Sequence, residues 1–162
     1  MTMNALQIFG LQTTLSLIVY ALIAKWYVWP RLNALPLHEA LVPLLFVHAM
    51  RHIGTTVLVT NLLDPAVPQA FTVPLAYGDL IAGLLALCCI FALRGRWSLA
   101  LPLVWLFNIW GLVDLLNAAY QGIRLDVTRY DLGVAWFIPT FFVPALYVTH
   151  VLIFMLLLKR SR

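Results

Sequence analysis

Apolar residues along this chain fall into five runs, and each run ends at a proline, a charge or a turn. At a helical rise of about 1.5 Å per residue, roughly 20 residues cross the hydrocarbon core of a bilayer. The pattern predicts helical spans over about residues 6–29, 37–63, 73–93, 97–120 and 132–158. Pro30 is expected to stop the first, the Asp64-Pro65 turn the second, and Arg94-Gly95-Arg96 the third. The fifth run has room for an interfacial first turn, with Pro139 and Pro144 bending it. The expected fold is all-α, a polytopic integral membrane protein forming a five-transmembrane-helix bundle, with residues 1–162 in a single domain.

Composition agrees with this pattern. Of 162 residues, 64% are hydrophobic and 10% charged, whereas a soluble domain carries about one quarter charged residues. That balance excludes a water-soluble domain. The formal charge is +4. With five spans, Lys25, Arg31, Arg94, Arg96, Lys159, Arg160 and Arg162 all fall on one side. The positive-inside rule makes that side cytoplasmic, so the N-terminus is expected outside and the C-terminus in the cytoplasm of a bacterial inner membrane or an equivalent bilayer. The opposite loops carry a balanced set: Asp64, Arg124, Asp126, Arg129 and Asp131. No basic patch or motif points to nucleic acid.

Met1 to Asn4 hold no basic residue and no small-residue cleavage site follows, so the first run is expected to stay as a membrane helix. Trp26, Trp29, Trp97, Trp136, Tyr27, Tyr120 and Tyr130 fall at span ends, as an interfacial aromatic belt should. Cys88 and Cys89 are adjacent on a helix and point apart, which suits apolar filling rather than a disulfide or metal site.

The polar exceptions inside the spans carry the candidate chemistry. His48, Arg51 and His52 occupy about 100° of one helical face at membrane depth, where ionisable groups are expensive and usually functional. Counting along the spans puts His48 level with His150 near the midplane. Asn108, Arg51, His52, Asp79, Asp114 and then Asn117 step toward the outer face. Asp79 shares a face with Ala82, Gly83 and Ala86, small residues that admit a neighbouring helix. The runs 41–47, 84–92, 99–107 and 151–158 contain no charge. A polar cavity opening outward over an apolar floor is therefore expected, formed by His48, Arg51, His52, Asp79, Asn108, Asp114, Asn117 and His150. Arg51 requires a counter-ion, because an unpaired guanidinium in hydrocarbon costs at least about 2.5 kcal/mol. Asp79 and Asp114 are the acids at suitable depth, so pairing with at least one of them is expected.

Several chemistries fit that residue set. The pocket could bind a small hydrophobic molecule or cofactor. It could instead belong to a membrane enzyme using His48, His52, Asp79 and Asp114 for acid–base work on a lipid-like substrate. His48 or His52 with His150 could ligate a b-type haem for electron transfer, Arg51 neutralising a propionate. His48 and His52, at i and i+4, could share a metal ion with Asp79 or Asp114, His150 being the other candidate ligand. A purely structural alternative has Arg51, Asp79 and Asp114 neutralising one another to fix helix register. Transport is disfavoured by the apolar cytoplasmic halves and the absence of an internal repeat. A small bundle also leaves lipid-facing surface for a homo-oligomer or a larger membrane complex.

Overall fold

The computed structural model describes residues 2–160; Ser161 and Arg162, the end of the basic tail, lie outside the described residues, as does Met1. Among the described residues the chain is helical throughout, without strands. Five helical stretches are long and apolar enough to cross a membrane: Ala5–Ala34, Leu37–Leu58, Gln69–Arg94, Ala100–Arg124 and Gly133–Lys159.

The first stretch begins with a reciprocal cap, in which Asn4 Oδ1 accepts from Gln7 N at 2.8 Å and Gln7 Oε1 accepts from Asn4 N at 3.0 Å. Helix α1 (Ala5–Ile23) runs into a π-helical turn at Ala24–Val28 and then α2 (Trp29–Ala34). Pro30 therefore does not stop the span. It sits in the first turn of α2, where its missing N–H needs no partner, and the wider turn before it re-registers the hydrogen bonds. The chain breaks instead at Leu35, held extended (ψ 156°) by the following Pro36.

Helix α3 (Leu37–Ala49), by contrast, is shorter than the apolar pattern predicts. From Met50 to Leu58 the backbone tightens into a 3-10 helix, and turns follow from Val59. Gly54, Thr55, Thr56 and Val57 are all weak α-formers, and Thr55 Oγ1 donates back to His52 O at 2.7 Å. Helix α4 (Gln69–Arg94) contacts α3, the 3-10 segment and α5 (Ala100–Arg124), which makes it the central element. The last stretch enters through a 3-10 turn at Gly133–Trp136 and a π-helical turn at Ile138–Phe142, the latter containing Pro139. It continues as α6 (Val143–Arg160), packed against α1, α3 and α5.

Lys25, Arg31, Arg94, Arg96 and Lys159 gather at one end of the molecule, called here the basic end. There Lys159 Nζ donates to Asn33 Oδ1 at 2.7 Å. The opposite, loop end is tied together by Asp64 N donating to Asp131 O at 2.8 Å. Gly133 at φ +48° lets the backbone pass so close to Leu62 O that a Cβ would lie 2.7 Å from it. The apolar core fills the basic-end half, around Leu41, Leu45, Ala86, Val104, Phe107, Ile153 and Leu156.

Candidate functional site

Above that core the bundle turns polar in two layers. The first contains Asn108 from α5 and His48 and His150 from α3 and α6, all fully buried. His150 Nδ1 donates to Asn108 Oδ1 at 2.7 Å, while Asn108 Nδ2 donates to His150 O at 3.2 Å. Asn108 thus fixes the proton of His150 on Nδ1 and leaves Nε2 as a lone pair without a protein partner. His48 Nε2 meets Thr149 Oγ1 at 3.0 Å, and Thr149 directs its own proton at Ala145 O and Leu146 O. Nε2 is therefore the donor and Nδ1 of His48 is the unpartnered atom.

The second layer is an ion triad. Arg51, the largest fully buried side chain, donates from Nε to Asp79 Oδ1 at 2.8 Å and from Nη2 to Asp114 Oδ2 at 2.6 Å. Nη2 also lies 2.7 Å from Asp79 Oδ1, and Nη1 donates to Gly111 O at 3.1 Å. Asp79 arrives on α4, and Asp114 and the Gly111 carbonyl on α5, and glycines set the approach. Gly54 faces Asp79, Gly78 faces the Asp114 carboxylate, and a Cβ on Gly111 would lie 3.0 Å from His150 Cε1. Gly83 brings α4 to the junction where α3 gives way to the 3-10 helix, a Cβ there lying 3.3 Å from Ala49 O.

The eight candidate residues are not all brought together. His48, Asn108 and His150 form the deeper layer and Arg51, Asp79 and Asp114 the upper one. His52 is exposed, its Nδ1 turned back on Ala49 O at 3.0 Å. The 100° facing that grouped it with His48 holds for an α-helix, but the backbone past Ala49 turns by about 120° per residue. Asn117 is exposed too, off the buried face of α5 formed by Val104, Phe107, Asn108, Gly111 and Leu115.

These placements bear directly on the metal and haem arrangements. His48 is buried while His52 is exposed and turned back on Ala49 O, and among the described residues no three His, Cys, Asp or Glu side chains converge as a metal site. The His48 and His150 rings lie 4.1 Å apart between centroids at 48°, in direct contact. Phe107 stacks on His150 at 5.7 Å. No slot for a macrocycle lies between the two imidazoles, so this packing does not fit a bis-His haem.

A cavity of about 430 Å³ opens over the triad toward the loop end. Asp79, Asp114 and Tyr147 line it, and its walls are otherwise mostly apolar, with Phe9, Phe71, Leu75, Leu115, Ala118 and Val143 among them. Residues from the loop segments, including Leu63, Val127 and Leu132, complete the enclosure. The space toward the loop end is thus less polar than the sequence pattern suggests, with Asp79 and Asp114 at the triad and Asp126 nearer the loops as its carboxylates. Tyr147, which donates to Leu115 O at 3.2 Å, was not among the expected site residues. Its position three residues before His150, on the same helical face, is the signal that marks it. A larger groove of about 800 Å³ at the basic end is lined by residues such as His38, Glu39, Arg94 and Arg96, and none of the eight candidates reaches it.

The chain is thus an all-helical protein with five helices long and apolar enough to span a membrane and an ion triad at the base of a cavity. Residues 8–158 match the family described as Domain of unknown function (DUF8737), and the chain belongs to that family. No curated protein and no solved structure matches it.

Proposed function

We propose that this is a polytopic integral membrane protein of a bacterial inner membrane or equivalent bilayer, which binds a small hydrophobic molecule in the cavity above Arg51. One observation carries the reading: a largely apolar enclosure of about 430 Å³ ends on the carboxylates of Asp79 and Asp114. Small-molecule sites are typically concave, mainly apolar and about 300–1,000 Å³ in volume, with a few convergent polar groups that fix orientation. The acid–base reading is weaker, because His48 and His52 are not among the residues lining this space.

Filling the cavity tests the proposal. Ala118 lines it, so Ala118→Phe occupies space a ligand would use. Mass spectrometry of small molecules co-purifying with the parent protein should show a species that the variant lacks. That species, added back, should raise the thermal midpoint of the parent alone, since only a state that binds is stabilised. Identical co-purifying species in both proteins, with equal stabilisation, would sink the reading.

Orientation is proposed from charge, with Lys25, Arg31, Arg94, Arg96 and Lys159 in the cytoplasm. The cavity then faces outward. A C-terminal alkaline phosphatase fusion should be inactive and a C-terminal green fluorescent protein fusion bright. The reverse pair of results would invert the topology.

A further inference from the structure

Any occupant of the cavity above Arg51 meets an imbalance of charge. Two carboxylates, Asp79 and Asp114, converge on one guanidinium. The donors of Arg51 face inward: Nε and Nη2 engage the two acids, and Nη1 engages the carbonyl of Gly111. Arg51 itself does not line the space. Among the described residues, no lysine, arginine or histidine does.

The remaining polar lining points to the same chemistry. Asp126 adds a third carboxylate toward the loop end, and its Oδ1 accepts from Thr128 Oγ1 at 3.3 Å. Tyr147 uses its proton on Leu115 O and so presents a phenolic lone pair. Thr13 Oγ1, on the α1 wall, is a buried hydroxyl without a partner, able to accept as well as to donate. The cavity therefore offers acceptors and negative charge within apolar walls. A neutral hydrocarbon would leave those acceptors unpaired, and an anion would be repelled.

We propose that the cavity takes a hydrophobic molecule bearing one protonated nitrogen, which seats against Asp114 while its apolar body lies along Phe9, Phe71 and Leu75. This rests on the reading of the cavity as a binding site and goes further by naming the ligand class. Asp114 is the more accessible acid of the triad, its side chain 18% exposed against 11% for Asp79. The incoming nitrogen donates to the carboxylate, and its charge balances the second acid.

A matched set of rigid probes separates charge from shape. 1-Adamantylamine is cationic near neutral pH, 1-adamantanol is neutral, and 1-adamantanecarboxylate is anionic, all on one cage. Binding is measured by calorimetry and by thermal stabilisation of the full chain in nanodiscs. The amine should bind about tenfold or more tighter than the alcohol, as a charge-assisted hydrogen bond implies. The carboxylate should not bind. Asp114→Asn keeps the shape and an acceptor oxygen while making the triad neutral overall, so the preference for amine should shrink to about twofold or less. Should that variant fold poorly, the three-probe comparison on the parent still decides.

Equal affinity for amine and alcohol would overturn the cationic ligand and leave the cavity reading standing. Tight binding of the carboxylate would overturn the charge argument outright. No binding of any probe, with Ala118→Phe also retaining every co-purifying species, would overturn both readings.

Discussion

Arg51→Met should remove about 3–5 kcal/mol of stability, the largest loss expected of any single substitution within the polar layers. The guanidinium is fully buried and ties its own 3-10 segment to α4 through Asp79 and to α5 through both Asp114 and the Gly111 carbonyl. Methionine fills much of the same volume but leaves two carboxylates facing each other in an apolar site without a counter-charge. Removing one member of a buried pair is far more damaging than removing all members, since a fully neutral site carries no uncompensated ion. The combination Arg51→Met with Asp79→Asn and Asp114→Asn should therefore recover more than half of the loss. Unfolding in mixed micelles of increasing denaturing detergent measures both. A single variant within about 0.5 kcal/mol of the parent, inside the range of ordinary surface changes, would show that the triad contributes little to stability. The combined variant also separates register-fixing from recognition. A triad that only sets helix register loses nothing else on neutralisation, whereas a triad that also seats a ligand leaves the combined variant stable but unable to bind.

The meeting of Arg51 with its acids was legible in the sequence because few ionisable groups occur at that depth, and the penalty for an unpaired guanidinium leaves them little alternative. Depth counting likewise brought His48 level with His150, since rise per residue is nearly constant while a helix stays regular. What was not legible follows from places where regularity fails. His52 and Asn117 lie outside the site: the first because the backbone changes pitch after Ala49, the second because the buried face of α5 is narrower than its polar ridge. Pro30 reads as a stop, yet a π-helical turn absorbs it, and no residue pattern announces that turn. The cavity wall was hidden for another reason. Leu6, Phe9 and Thr13 line it from α1, which packs against α6, a partner distant in sequence that periodicity cannot identify.

The glycines at the triad should behave differently from one another, and the difference follows from which atoms each one faces. Gly54→Ala places a Cβ that overlaps the Asp79 carboxylate and lies 2.7 Å from the Asp79 Cβ, an atom fixed to the α4 backbone. No side-chain rotation relieves that contact, so the 3-10 segment and α4 must separate. Overpacking of this kind costs about 1–3 kcal/mol, and the separation also lengthens the Arg51–Asp79 pair. A total loss of about 3 kcal/mol or more is expected. For Gly78→Ala the three nearest atoms all belong to the Asp114 carboxylate, with Cγ 2.9 Å away, and the carboxylate can swing aside at the expense of its bond to Arg51. Double-mutant cycles distinguish the two cases. Asp114→Ala removes the three atoms nearest the new Cβ of Gly78→Ala, so the penalty of Gly78→Ala should largely vanish in that background. Asp79→Ala retains the offending Cβ, so Gly54→Ala should stay destabilising beside it. Gly10, whose added Cβ meets nothing within 4 Å, supplies the reference: Gly10→Ala should be neutral or slightly stabilising, as alanine is the better helix former. If Gly54→Ala were as mild as Gly10→Ala, the close seating of the 3-10 segment on Asp79 would be wrong, and with it the route by which Arg51 reaches its first carboxylate.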